Sequence, residues 1–273
     1  MLAEGDSASV ARRRAQMPSG TTAILDARSL ATAHRRLAAL LRPGLAVLDV
    51  GCGTGAITRG IAEVVGGDGR TAGVDVDATM IEKARAAHGG VPRLAFDVAD
   101  ACALPFSGAF DIATAARVLQ WLADPAAAVR SMTAAVKRGG RVVVLDFNHE
   151  KAAWTPDPPA SMRRFYAAFL RWRATAGMDN AIADHLAGLF AGVGFTEVVT
   201  TDQHEVTRRT DPDFEARAGI WAAVAATRGH QMVADGAISE RERRSAEDDY
   251  RTWLRDGAES HVLYLLAVEG VRT

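Results

Sequence analysis

An α/β fold built on a mostly parallel sheet follows from three observations. Apolar runs of strand character near residues 46–50, 70–75, 93–97, 109–115 and 141–146 alternate with helical patterns such as Met80 to Ala87 and Ala126 to Val136. Alternation of this kind makes a parallel sheet with right-handed crossovers and helices on both faces. The run Val47-Leu48-Asp49-Val50-Gly51-Cys52-Gly53-Thr54-Gly55 then takes a buried strand into three alternating glycines and a helix, about Ala56 to Val65. Glycines there let the backbone turn sharply and let a ligand approach closely, and the helix start aims open N–H groups at it. Finally, each polar motif falls at the carboxyl end of a strand, where ligands bind in such sheets.

Composition bounds the rest. With 273 residues, 48% of them hydrophobic, residues 1–273 read as one large domain with an ample core and helical elaborations. A net charge of -1 supplies no electropositive field for nucleic acid or an anionic membrane, so neither partner is expected. Cys52 and Cys102 stand in no metal-ligand spacing, so no metal is expected and both read as reduced thiols. No apolar stretch reaches the ~20 residues of a membrane span, and Glu4 and Asp6 occupy the place where a signal peptide needs positive charge. A cytoplasmic protein is the expectation, with a small-molecule partner and with a homodimer compatible with the chain.

Taken in order, residues 1–44 read as N-terminal helices. Arg12-Arg13-Arg14 is either a solvated helix face or frayed terminus, or an RNA contact; Leu30, Leu37, Leu40 and Leu41 form a helical stripe that ends before Pro43-Gly44. Residues 45–148 carry the strand–turn motifs. Pro156, Pro158 and Pro159 mark Asn148 to Pro159 as a loop opening an aromatic insertion, 149–178, with a helix from about Ala160 to Ala176. A second helix, Asn180 to Ala191, stops at Gly192 and Gly194, followed by strands Phe195 to Thr201 and His261 to Val268. The intervening residues, 205–258, exceed an ordinary connection and read as a helical insertion.

The glycine turn alone leaves two enzymes open. Gly51, Gly53 and Ala56 with Asp75 also satisfy the dinucleotide pattern of a nicotinamide-dependent dehydrogenase, although no Tyr-x-x-x-Lys of the short-chain type occurs. The remaining motifs separate them: Asp49 inside the strand, Gly73 to Met80, Asp100-Ala101 leading to Leu104-Pro105-Phe106, then Phe110-Asp111 and Gly139-Gly140. This ordered set, covering about Leu45 to Asp146, resembles class I S-adenosylmethionine-dependent methyltransferases, especially the ubiquinone/menaquinone-biosynthesis C-methyltransferase-like group. The resemblance implies a Rossmann-like, mostly parallel seven-stranded sheet with its last strand antiparallel, methyl transfer as the activity and S-adenosyl-L-methionine as the cofactor. A protein that binds this cofactor without catalysis is the third alternative.

The same resemblance distributes the cofactor contacts. Asp49 supports the loop or reaches the ammonium, and Gly51, Gly53 and Gly55 hold the amino-acid end by backbone contacts. Asp75 at the end of the second strand accepts both ribose hydroxyls, a charge-assisted pairing; Asp77 serves as a helix cap. Val76 and Met80 cover an adenine face, Met80 being equally suited to plain core. Asp100 receives the adenine amino group and Ala101 offers its backbone N–H. Arg117 either contacts the cofactor carboxylate or pairs with a neighbouring acid; Gln120 faces the acceptor, and Trp121 reads as core.

For the acceptor, Asn148-His149-Glu150 follows the fifth strand. His149 has the unperturbed pKa, about 6.5, of a neutral-pH base, with Glu150 orienting it or acting alone; an exposed loop histidine is the plain alternative. Phe147, Trp154, Phe165, Tyr166, Phe169 and Trp172 concentrate aromatic residues here. At helical spacing they are either core or, with Trp154, Phe165, Tyr166 and Phe169 as walls, an apolar acceptor pocket. Arg173 either caps the helix or meets an anionic ligand.

Overall fold

All five residues of β1 (Ala46–Val50) are buried, as they must be in a central strand covered on both faces. In the computed structural model, which describes residues 4–18, Asp26 and 28–273, β1 pairs in parallel with β2 (Arg70–Asp75) and β4 (Phe110–Ala116). With β3 (Leu94–Val98), β5 (Val136–Phe147), β7 (Val198–Asp202) and β10 (Leu265–Val271), they form a seven-stranded sheet in the order β3-β2-β1-β4-β5-β10-β7. β10 runs antiparallel to both of its neighbours, and the β1 to β5 pairings are parallel. The chain divides into two compact units, and this sheet belongs to one made of Thr22–Phe147, Ile182–Gln203 and Leu265–Thr273, the sheet unit.

Alternation along the strands shows why helices cover both faces. Val47, Ile112 and Val143 pack with Leu30 of α2 (Leu30–Ala33), Leu37 of α3 (Arg35–Leu40) and Ile61 and Val65 of α4 (Ala56–Val65). Their neighbours Leu48, Ala113, Val142 and Val144 point the other way, against α6 (Pro125–Ala135) and α8 (Ile182–Val193). Local chemistry sets the helix starts. Asp77 caps α5 (Ala78–His88) by accepting the Thr79 N–H at 2.9 Å, and Asp124 caps α6 through Ala127 at 2.9 Å, with Pro125 in the first turn.

The second unit, the aromatic unit, comprises Met1–Thr21, Asn148–Ala181 and His204–Tyr264. It holds α1 (Glu4–Ala15), α7 (Ala160–Ala174), the helices α9 (Phe214–Ala218), α10 (Ile220–Ala226), α11 (Arg228–Ala234) and α12 (Glu240–Asp256), and an antiparallel sheet. That sheet orders β6 (Ala153–Thr155), β9 (Ser260–Leu263) and β8 (Glu205–Arg208) as β6-β9-β8. The segments 149–178 and 205–258, read from sequence as separate insertions, therefore lie largely in one unit together with α1. A capping box between Ser239 and Glu242 starts α12.

Four expectations need correction. The last strand, read as His261 to Val268, is two strands: β9 pairs with β6 and β8, whereas β10 pairs with β5 and β7. The run between Asn148 and Pro159, read as loop, contributes β6. β5 begins at Val136 rather than near Arg141, with Gly139 at φ 76 and a register shift between Phe110 and Ile112 absorbing the irregularity. The Arg12-Arg13-Arg14 run is not simply solvated, because Arg13 Nη1 meets Asp235 Oδ1 at 2.6 Å and Arg14 Nε meets Asp235 Oδ2 at 2.9 Å within the aromatic unit. Although burial opposes it, hydrogen bonds from Arg13, Trp172 and Arg14 hold the Asp235 carboxyl below its ordinary value.

Candidate cofactor site

The strand ends of the sheet unit build the site. Gly51, Gly53 and Gly55 adopt φ of 71, 54 and 83°, a region open to glycine. At Gly51 a Cβ would also stand 2.4 Å from Val118 Cγ2, so the turn has no room for a side chain. The Gly51 and Cys52 N–H groups both donate to the Val74 carbonyl, at 2.7 and 3.0 Å, tying the loop to β2. Asp75 then holds two segments with one carboxylate: Oδ2 accepts from Gly53 N at 2.9 Å and Oδ1 from Asp77 N at 3.0 Å. Burial raises its pKa.

Asp49 is 3% exposed and accepts a hydrogen bond from Thr58 Oγ1 of α4 at 2.6 Å. Its register partner on β4, Thr114, shares a 3.1 Å hydrogen bond with the buried His34 Nε2. Burial pushes the Asp49 carboxyl up to about 7; the Thr58 bond opposes the shift and the Asp75 charge adds to it. Burial together with Arg117 presses His34 down to about 3, so this imidazole is neutral.

Asp49, Gly51 and Gly53 line one pocket with Arg28, Ile57 and Ala116, around about 360 Å³ of non-atom space that includes open solvent. Asp26 Oδ1 accepts from Thr54 Oγ1 of the glycine loop at 2.6 Å. Farther along the strand ends, Val76 is 50% and Val98 52% exposed, and Val98 is the register partner of Asp75. Asp100 Oδ1 accepts from Cys102 N at 2.9 Å, which shapes the turn holding the buried Ala101.

Other sequence candidates fall elsewhere. Met80 faces the core of α5, as an apolar residue on the inner side of an amphipathic helix does. Arg117, at φ 63, donates from Nη1 to the Ala33 carbonyl at 3.0 Å and lies 5.5 Å over the Phe147 ring; it does not line the pocket. Gln120 is buried, its backbone N–H on Asp146 Oδ2 at 3.1 Å and its amide on the Arg117 carbonyl at 3.2 Å. Arg28, Ile57, Ala116 and Val98 were missed by sequence reasoning. Val98 carried a signal, an apolar residue ending a strand just before Asp100.

The acceptor candidates belong to the aromatic unit. His149 sits in a single 3-10 turn, His149–Lys151, with its ring 5.9 Å from Phe169 and 6.1 Å from Trp221. Burial, and then Arg173, depress its pKa well below the ordinary histidine value, so the ring is neutral and a weak base. Glu150 is exposed. Trp221, absent from the sequence reading, is the hub: its ring lies 4.5 Å from Tyr166 and 5.6 Å from Phe169, and Nε1 donates to His261 Nε2 at 3.2 Å. Trp154 donates to Tyr250 Oη at 3.0 Å and stacks on His261 at 5.4 Å. Phe165 and Phe169 are each 2% exposed, and Arg173 is fully buried, its Nε on Asn180 Oδ1 at 2.9 Å and its guanidinium 5.5 Å over Phe169. Phe165, Phe169, Trp172, Trp221 and Tyr250 are buried in their own unit, whereas Trp154 and Tyr166 are part-exposed.

A parallel sheet with one reversed strand, β10, between β5 and β7, a glycine turn at β1 and acids at β1 and β2 defines a Rossmann-like methyltransferase class, whose cofactor is S-adenosylmethionine. The model of a family described as methyltransferase domain matches residues 41–185, more than half of the chain, and the protein belongs to that family. This resolves the choice that the dinucleotide-like glycines left open. Over 114 residues the chain is 38% identical to a ubiquinone/menaquinone biosynthesis C-methyltransferase of Shewanella woodyi, covering 40% of this chain and 45% of that one. It is also 38% identical over 104 residues to an uncharacterized 37.1 kDa protein in a Streptomyces fradiae transposon, covering 38% of this chain and 30% of the other. The chain thus spans less than half the length of these curated relatives. Among solved structures, phosphoethanolamine N-methyltransferase 2 of Haemonchus contortus, in complex with S-adenosyl-L-methionine, shares the fold with a TM-score of 0.54 at 18% identity, over 94% of this chain and 53% of that one.

Proposed function

We propose that the protein binds S-adenosylmethionine at the β1–β2 strand ends and transfers its methyl group to a small, largely apolar or aromatic acceptor. The observation that carries the cofactor half is Asp49. Its carboxyl is buried in the glycine-loop pocket and raised to about 7, a burial cost that a ligand's ammonium group relieves. Asp75 presents a second carboxylate to ribose hydroxyls, the exposed Val76 and Val98 offer an apolar shelf to adenine, and Asp100 with Ala101 supplies polar contacts for its edge.

When bound, S-adenosylmethionine supplies a methyl group on a sulfonium leaving group, so displacement rests mainly on in-line positioning. The chain's own tasks are to hold the cofactor ends, orient the acceptor and remove its proton. For that last task we propose Glu150, which is exposed; His149 of the same turn is buried and a weak base. A net charge of -1 supports a small molecule over RNA. The ubiquinone/menaquinone relative points to a biosynthetic pathway and to a quinone-like acceptor class. No described helix is long and apolar enough to cross a membrane.

The test is methyl transfer from radiolabelled cofactor to a panel of apolar phenols and quinols, with His149→Ala and Glu150→Gln beside the unsubstituted protein. The reading expects product from at least one acceptor and a loss of about 10²-fold in turnover in one variant, cofactor affinity being retained. Labelling of RNA in place of every small molecule would contradict it.

A further inference from the structure

Beneath the glycine loop, Thr58 Oγ1 of α4 donates to Asp49 Oδ2 of β1 at 2.6 Å, and both side chains are buried. The register partner of Asp49 on β2 is Gly73, where a Cβ would stand 3.0 Å from Thr58 Cγ2. The glycine therefore leaves room for the threonine methyl. With its methyl on Gly73 and its hydroxyl on Asp49, a side chain already stiff at χ1 is held in one rotamer. A hydroxyl is also a particular choice of partner, because it donates to a carboxylate and accepts from a carboxylic acid. The pair stays hydrogen-bonded in either state, whereas a backbone N–H or a guanidinium would hold only the charged one.

Other groups facing Asp49 decide which state it takes. Asp75 adds negative charge from the end of β2, Cys52 of the loop is a thiol pushed well up by burial and then by both acids, and His34, beyond Thr114, is neutral. The cations are Arg28, which lines the pocket, and Arg117, which reaches the Ala33 carbonyl. Burial outweighs the Thr58 bond and raises the carboxyl to about 7. Asp49 then holds its proton in about half of the molecules at neutral pH.

We propose that the Asp49–Thr58 pair makes cofactor capture a proton-releasing step, with Thr58 the positioning residue that sets how readily the proton leaves. The inference rests on the cofactor reading above and adds a regulation to it. In this step the carboxylic O–H breaks, the proton passes to water or buffer, and the carboxylate that remains pairs with the ammonium of the ligand. Because the ligand pairs with the carboxylate alone, affinity falls as pH falls below about 7, by at most about tenfold per pH unit.

Calorimetry with S-adenosylhomocysteine on the full chain, in phosphate and in imidazole, reads the released proton from the difference in heat, because each buffer takes it up with its own enthalpy. The expected result is between about half a proton and one proton per ligand at about pH 6.5, and an affinity lower by about tenfold or more at about pH 5.5 than at about pH 7. Thr58→Val keeps the methyl against Gly73 and removes the hydroxyl, so the midpoint of the affinity profile should move up by about one pH unit, and Thr58→Ser should restore it. A threonine that only supported α4 would change affinity without moving the midpoint. Asp49→Asn should flatten the profile, at an affinity near that of the unsubstituted protein in acid; Thr58→Ala repeats the comparison where Thr58→Val fails to fold. Binding without proton release and with a flat profile overturns the proposal while leaving the cofactor reading standing. A profile that persists in Asp49→Asn places the proton on another group and overturns it too, and an unmoved midpoint in Thr58→Val overturns the role of Thr58. No binding of S-adenosylhomocysteine by the unsubstituted protein overturns both the proposal and the cofactor reading.

Discussion

The sheet unit and the aromatic unit treat their buried polar groups in opposite ways. At the β1–β2 strand ends, Asp49 carries a raised carboxyl, three glycines hold positive φ and two valines stand half-exposed. In the aromatic unit, Trp154 donates to Tyr250, Tyr250 Oη donates to the Ala218 carbonyl at 2.9 Å and Trp221 donates to His261. The first pattern places a costly buried charge beside a pocket, and the second joins most of its ring N–H and O–H groups to one another, although Trp253 Nε1 is buried with no hydrogen-bond partner among the described residues. Aromatic density in a sequence therefore does not by itself mark a ligand pocket. The more telling signals are a costly buried charge and apolar side chains left open.

The sharpest way to break the comparison is at the hub of the closed core. Trp221→Ala should lower stability by about 3–5 kcal/mol in a denaturant titration, the range for emptying a buried tryptophan site. A change below about 1 kcal/mol would mean that the ring network is loosely packed and open to a ligand, as in the pocket reading of the stripe.

A smaller effect separates the units by pH. His261 is held down to about 4, by burial first and then Arg217, and His149 also lies below its ordinary value. A neutral buried histidine loses stability as pH falls from its unfolded value of about 6.5 to its folded one, by at most roughly 1.4 kcal/mol per pH unit. In the sheet unit His34 acts with the same sign between about 6.5 and about 3, but Asp49 acts oppositely, its raised carboxyl gaining stability as pH falls from about 7 toward the ordinary aspartate value. The two offset each other there, and among the described residues of the aromatic unit no raised carboxyl offsets His261. Acidification from pH 6.5 to 4.5 should thus weaken the aromatic unit first. Trp154, Trp172, Trp221 and Trp253 all lie in it, so tryptophan fluorescence should shift before hydrogen exchange quickens in β1 and β4. The reverse order would contradict the pairing of signs.

The smallest effect is a control. Asp77→Ala removes the cap of α5 and should cost about 1 kcal/mol of stability with cofactor affinity nearly unchanged. A large loss of affinity would move Asp77 from cap to ligand contact.

What the sequence made readable, and what it hid, follows from range. The strand–glycine–helix turn, Asp75 and the alternating strands are written in consecutive residues, whereas the sheet order β3-β2-β1-β4-β5 came from the structure. By contrast β6 has three residues and exists because Trp154 pairs with His261, a partner over a hundred positions away. The continuous apolar run from His261 to Val268 concealed that two sheets share it. Arg28 was unreadable for a similar reason: it lines the pocket with Asp49 and the glycine loop, residues over twenty positions away. Trp221 sat in an alanine-rich run that has no partner pattern of its own.

The central claim, that the β1–β2 strand ends hold S-adenosylmethionine through Asp75, is tested most directly by calorimetry on the unsubstituted protein and Asp75→Ala with S-adenosylhomocysteine and NAD. The account predicts micromolar binding of S-adenosylhomocysteine, roughly -8 kcal/mol, no binding of NAD, and a loss of at least about tenfold in a folded Asp75→Ala. Tight NAD binding without S-adenosylhomocysteine binding, or an unchanged affinity in the variant, would contradict it.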